Sequence, residues 1–209
     1  MKTILSTLTL FILTISIAGA QDIKFPQPDR EGGMPLMKTL NLRHTSREFS
    51  PRDLPVELMG NLFWAACGTT RGTYRTAPSA VNWQEVRAYA VTKEGIYLYH
   101  DRGHYLEKLI DGDFREYTGT QSFVKDAPLT VVLVADYSKM RSGMTEEDRL
   151  KYSWADAAYI SQNIYLFCTS ENLNTGVRAL IDRQVLREKM QLPETHRIVF
   201  AQCVSYPVE

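Results

Sequence analysis

The sequence predicts an α+β fold in which helices flank a mostly antiparallel central sheet, and three stretches carry that reading. Leu129 to Ala135 is an unbroken, valine-rich apolar run, the pattern of a strand buried on both faces. Glu85 to Thr92 and Ile96 to His100 alternate in polarity around Lys93-Glu94-Gly95, the pattern of a hairpin. Thr145 to Leu173 holds the longest helical pattern, with Trp154, Ala158, Ile160, Ile164, Tyr165, Phe167 and Cys168 making it apolar on most sides, as in a core helix or a subunit interface. Such helices around an antiparallel sheet pack as layers over a shared core.

Along the chain, Lys2 gives a short positive start, Ile4 to Ile17 an apolar run, and Ala18-Gly19-Ala20 a small-residue cleavage site before Gln21. Residues 1–20 therefore read as a secretory signal peptide. The run is shorter than the ~20 apolar residues that a spanning helix needs. The mature chain is expected in the periplasm or secreted. Residues 21–33, rich in proline, glycine and polar residues, read as an extended N-terminal arm able to wrap a partner subunit. The mature chain of about 190 residues suits one compact core, and residues 34–209 form that domain.

Within that domain, Met34 to Leu42 has helical spacing. A second helix opens at Asp53-Leu54-Pro55, with Asp53 as a candidate cap and Pro55 in the first turn, and runs to Cys67 before Gly68. After the hairpin, Leu106 to Ile110 reads as a short strand or turn. Asn174-Thr175-Gly176 reads as a loop, Asp182 to Met190 as a helix, and Ile198 to Val204 as a closing strand.

Composition excludes several functions. The 24 basic residues are balanced by 24 acidic ones and scattered among them, so neither a nucleic-acid footprint nor a polybasic membrane patch is present. Cys67, Cys168 and Cys203 lie far apart in apolar surroundings, which signals buried thiols rather than zinc or a redox dithiol, though an oxidising compartment would permit one bridge. His100, His104 and His196 have no ligand spacing and read as surface residues, so no metal is expected. Trp154, Tyr159 and Tyr165 read as interface packing. Asp156 is the one charge in its apolar stretch and should be paired or cap something. No Ser-His-Asp or Cys-His spacing supports a hydrolase.

Two polar segments carry the functional signal. Arg43-His44-Thr45-Ser46-Arg47 places two guanidiniums and two hydroxyls in five residues, which suits a phosphate. If it is extended, Arg43, Thr45 and Arg47 share one side. Ala77-Pro78-Ser79-Ala80-Val81-Asn82-Trp83-Gln84 joins a proline turn to a hydroxyl and two carboxamides, groups that can match the edge of a planar heterocycle.

Taken with Leu42, Glu48 and Phe49, Trp64-Ala65-Ala66-Cys67-Gly68, Arg75 and Thr76, Asp156-Ala157-Ala158, Gln162-Asn163, Asp182 and Val204-Ser205-Tyr206-Pro207, these segments resemble the nitroreductase family of FMN-dependent oxidoreductases. The resemblance extends to the branch of thiazole- and oxazole-forming dehydrogenases and covers Met34 to Pro207. It implies a homodimer with FMN in clefts at the subunit interface, and hydride passing from NAD(P)H through the flavin to a nitroaromatic, quinone or similar acceptor. Arg43, Thr45 and Arg47 would hold phosphate and ribityl chain, with His44 beside them. Pro78, Ser79, Ala80, Asn82 and Gln84 would meet the flavin from the partner chain or border its ring. The loop from Thr175 to Ala179 would pass over the isoalloxazine, with Arg178 and Ala179 close by. Thr45 stands where the family usually has serine, and the chain ends at Glu209 where many relatives carry further basic residues on the phosphate. A non-catalytic extracytoplasmic module binding flavin or another planar ligand with this same fold is the alternative function.

Overall fold

A computed structural model describes residues 21–208. The expected signal peptide, residues 1–20, lies outside the described residues. Among the described residues no helix is long and apolar enough to cross a membrane.

A seven-stranded sheet organises the domain. In chain order its strands are β1 (Ile23–Lys24), β2 (Val86–Val91), β3 (Gly95–His100), β4 (Tyr105–Asp111), β5 (Leu129–Asp136), β6 (Asn174–Arg178) and β7 (His196–Ser205); the helices are α1 (Leu36–Leu42), α2 (Val56–Cys67), α3 (Glu146–Ser170) and α4 (Arg183–Lys189). The spatial order is β1-β4-β3-β2-β5-β7-β6, and every pairing is antiparallel. The α+β reading therefore holds.

β5 shows why a continuous apolar run was required. All eight of its residues are buried. Its alternate side chains divide between two cores, with Leu129, Val131, Leu133 and Ala135 on the face covered by α2 and α3, and Val132 and Val134 on the face covered by α4 through Leu186 and Met190. Period-two alternation sends successive residues to opposite faces, and here both faces are dry. The same division runs through β3, where Tyr97 and Tyr99 face one core and Ile96 and Leu98 the other.

The helix ends follow local chemistry. The Thr145 hydroxyl accepts from the Asp148 amide at 3.0 Å, and Glu146, Glu147 and Asp148 fill the first turn of α3, where the exposed amides favour negative charge. Asp182 caps α4 in the same way, accepting from the Val185 amide at 3.1 Å. Asp53 does not cap α2: Pro55 occupies the cap position, and the Asp53 carboxylate instead accepts from Lys93 at 2.6 Å.

One expectation changes at the sheet edges and another gains detail. The arm is extended, but Ile23 and Lys24 pair with Leu106 and Tyr105 of the same chain, and the Phe25 ring lies 6.1 Å from that of Phe63, so its beginning belongs to the chain's own core. Asn174-Thr175-Gly176 is not a loop but the start of β6, paired with Ser205, Val204 and Cys203 of β7. Its turn-forming composition is overridden because β7 supplies a full ladder of partners, and Gly176 is there for space: a β-carbon would sit 2.6 Å from the Ser46 carbonyl oxygen.

The three cysteines are buried and free, as expected. His100, His104 and His196, expected at the surface, are half-buried instead. The His104 Nδ1 pairs with the Tyr99 hydroxyl at 2.9 Å and its Nε2 is buried without a partner; His100 pairs with Glu107 at 2.6 Å; and the His196 side chain is 11 % exposed.

Candidate functional site

Residues 43–47 run along the outer edge of β6. The Ser46 amide donates to the Thr175 carbonyl at 3.0 Å, and the Asn174 carboxamide donates to the Glu48 carbonyl at 2.8 Å, so the segment continues the sheet where the last strand would otherwise offer free backbone groups. Tyr165, near the end of α3, anchors the other side. Its hydroxyl lies 2.9 Å from that of Thr45 and accepts from the Val177 amide at 3.1 Å, while the Arg43 guanidinium lies over its ring at 5.3 Å. Within one chain, Tyr165 thus ties the basic segment to β6.

Between this segment and β6 lies a pocket of about 190 Å³ lined by Thr45, Ser46, Arg47, Gln121, Phe123 and residues 176–180. Two of its lining side chains are guanidiniums, Arg47 and Arg178, and none is a carboxylate. Neither Arg43 nor Arg47 is in an ion pair with a described carboxylate. Arg178 is buried, 6 % exposed, and donates to neutral groups alone: the Cys203 sulfur at 2.9 Å and the Thr118 carbonyl and hydroxyl, each at 3.4 Å. Its Nε is buried with no partner, and it lies 5.8 Å from the centre of the Phe123 ring. A buried cation among neutral acceptors is costly, and an anion in the adjoining pocket would offset that cost.

His44 does not join the cluster. Its Nδ1 turns back to the Leu42 carbonyl at 3.1 Å, at the end of α1. Ala179 is exposed at the rim of the pocket. Gln121, Phe123 and Thr118 carried no sequence signal, being short-range loop residues with unremarkable spacing. Tyr165 carried only the general signal of an aromatic residue on α3.

The second segment stands apart. Asp156 accepts from the Ala80 amide at 2.9 Å, which places residues 78–84 nine positions up α3 from Tyr165, about 13 Å along the axis at ~1.5 Å per residue. One chain does not bring the two segments together. Ser79 accepts from the Gln84 amide at 2.9 Å, and Gln84 donates to the Thr73 carbonyl and, at 2.9 Å, to the Asn82 carboxamide, so both carboxamides are held within the segment. Pro78 is exposed. Val81, Asn82 and Gln84 have φ of 50°, 55° and 52°, left-handed values that cost a non-glycine residue of order 1–3 kcal/mol each.

Asp156 is paired as well as capping. Its carboxyl lies against that of Glu85, and both are pushed above the ordinary carboxylate range, chiefly by burial. Glu85 rises to about 7. Larger pockets lie elsewhere: one of about 420 Å³ between the arm, α1, α2 and α3, and one of about 550 Å³ lined by Arg183, Arg187 and Arg197 together with Glu188 and Glu194. Volume alone does not identify the site, because the smaller pocket is the one whose guanidiniums meet no carboxylate in its lining.

A model of the Nitroreductase family matches residues 40–206. The chain is similar to a protein of Methanocaldococcus jannaschii classed as a nitroreductase, with 28% identity over 166 residues covering 73% of this chain and 82% of that one. It superposes on a Ralstonia eutropha JMP134 protein of the same class at a TM-score of 0.85 with 36% identity, covering 92% of this chain and 93% of that one. The NADPH:FMN oxidoreductase of Vibrio harveyi shares the fold, at a TM-score of 0.63 and 18% identity over 83% of this chain and 69% of that one.

Proposed function

The chain belongs to the Nitroreductase family, and from that membership we propose that it is an FMN-dependent oxidoreductase, passing hydride or electrons from a nicotinamide-type donor to a small organic acceptor such as a nitroaromatic or quinone. The observation that carries the reading is the pocket beside β6, with Arg47 and the buried Arg178 in its lining, no carboxylate among those residues, and Arg43 stacked nearby on Tyr165. Guanidiniums without carboxylate partners suit a dianionic phosphate, which they can hold by charge-assisted bonds.

Arg43 and Arg47 would hold the phosphate of FMN and Thr45 its ribityl chain, with Tyr165 keeping Thr45 and β6 in register. Arg178 would place fixed positive charge at the inner end of the pocket. Bound flavin supplies the hydride chemistry; the protein orients it, limits water and sets the local field.

The separation of residues 78–84 from the pocket supports a homodimer, in which that segment of one copy approaches the flavin held by the other. Exposed apolar side chains support it too. Leu36, Met37 and Leu40 on α1 and Tyr152 and Tyr159 on α3 are each more than two-fifths exposed, an arrangement that favours association. Residues 1–20 support export of the mature chain from Gln21, and hence a donor available outside the cytoplasm.

The test is the visible spectrum of the purified protein without oxygen. An oxidised-flavin spectrum that bleaches with NADPH is expected. Bleaching with dithionite alone would favour a different donor or the binding-module alternative, and a colourless protein that cannot be loaded with FMN would overturn the reading.

A further inference from the structure

We propose that Glu85 and Asp156 hold a single proton between them and that this proton latches the strained 79–84 segment in place. Glu85 is fully buried, and neither of its oxygens has a donor on any described residue. The Asp156 carboxyl lies within hydrogen-bonding reach of it, is itself 3 % exposed, and spends one oxygen on the Ala80 amide. Two negative charges cannot be kept side by side in such a place, whereas one proton serves both groups: the neutral acid donates, and the remaining carboxylate is free to accept from Ala80.

The surroundings make the proton necessary. From the turn after β5, Lys139 donates to the Gln84 carbonyl at 3.0 Å rather than to either carboxyl, and burial, followed by Arg75 and Arg87, lowers its affinity for its own proton. Arg75, from the loop after α2, is committed to Asp101 at 3.1 Å and to the Val86 carbonyl at 3.0 Å. Asp136, beyond Glu85 on β5, directs its carboxylate to Ser138. Among the described residues no cation donates to either carboxyl, and Lys139 acts on Glu85 through its charge alone.

The bond from Ala80 to Asp156 fixes the start of a segment with three left-handed non-glycine residues, a conformation that persists only while its surroundings hold it. Removing the shared proton sets two carboxylates against each other. The relief open to Asp156 is to swing toward water, which gives up Ala80. Burial, foremost, and then the neighbouring carboxylate push Glu85 up to about 7, so the latch would open within the range that proteins meet outside a cell. Asp156 and Glu85 are positioning residues in this scheme. Their effect on flavin binding rests on the placement of residues 78–84 beside a partner's flavin, but the latch itself does not.

The experiment follows the Ala80 amide resonance of the flavin-free protein from about pH 5 to about pH 9, in parallel with its affinity for FMN. The expected result is one transition near neutrality. If binding requires the protonated pair, FMN affinity falls about tenfold per pH unit above the midpoint. Glu85→Gln supplies a permanent donor of the same shape and should flatten both curves at the latched value; Asp156→Asn, which can accept from Ala80 and donate to Glu85, should do the same. A flat Ala80 signal in the unaltered protein, or the same transition in both variants, would overturn the latch. An Ala80 transition with unchanging FMN affinity would uphold the latch and overturn the placement of the segment beside the flavin.

Discussion

The Tyr165 hydroxyl sits between the Thr45 hydroxyl, at 2.9 Å, and the Val177 amide, at 3.1 Å, so a single oxygen on α3 joins the basic segment to β6. Tyr165→Phe keeps the ring under Arg43 and removes that oxygen. The Val177 amide is then left without its acceptor, a loss of about 1–3 kcal/mol. Urea unfolding should show a lower midpoint with an unchanged slope, and FMN affinity should drop with it.

Gly176→Ala tests the closeness of the basic segment to the sheet. The added carbon would meet the Ser46 carbonyl oxygen at 2.6 Å, and separating the two costs the bond from the Ser46 amide to Thr175. Overpacking of this kind costs about 1–3 kcal/mol. Thermal melting should fall, and flavin occupancy should fall more than it does for a substitution of equal cost in the distant core.

If Arg43 holds the phosphate as proposed, Arg43→Ala removes a charge-assisted contact worth about 1.5–3 kcal/mol, which corresponds to a roughly 10- to 150-fold weaker affinity for FMN. Equilibrium dialysis or fluorescence quenching would measure it. Unchanged affinity would remove Arg43 from the phosphate site.

The ion pair between Arg75 and Asp101 predicts an acid limb of instability. Burial pulls the Asp101 carboxyl upward, but bonds from Arg75 and Thr69 outweigh it and hold the group below its ordinary value. Its contribution is complete above the unfolded-state value of about 4 and disappears as the pH falls through the lower folded value. Asp101→Ala, which strands the largely buried Arg75, should cost about 3–5 kcal/mol at neutral pH. In chemical denaturation the variant's stability should also lose the part of the acid dependence that Asp101 supplies.

Dimerisation is tested at the exposed face of α1. Met37 is 76% exposed, so Met37→Asp leaves the fold of one chain alone while placing a charge on the apolar face proposed to meet the second copy. The native protein should run as a dimer in sedimentation, and the variant should dissociate at micromolar concentration and lose FMN.

Most of the architecture was legible because burial writes itself into periodicity. The valine run of β5, the hairpin around Lys93-Glu94-Gly95 and the apolar length of α3 appear where the pattern places them. β6 was not legible. Asn174 and Gly176 belong by composition to a turn, and only the ladder offered by β7, some twenty-five residues later in the chain, makes them a strand. The proposed phosphate cluster could be put forward from Arg43, Thr45 and Arg47 because short-range spacing carries that signal. The roles of Tyr165, Gln121 and Phe123 were not, since they depend on contacts between distant parts of the chain. Glu85 read simply as the first residue of a strand, and its neighbour on α3 could be found only in three dimensions.

One feature of the sheet bears on how the protein survives without its ligand. The strip that carries Arg43 and Arg47 also covers the outer backbone of β6 through the Ser46 amide. If these residues hold the cofactor as proposed, its capture and the protection of the sheet edge are carried by the same five residues. When the strip lifts, a bare strand edge is offered to any neighbouring chain. Flavin-starved protein should therefore be more prone to aggregation than to simple loss of activity, and added FMN should raise its soluble yield.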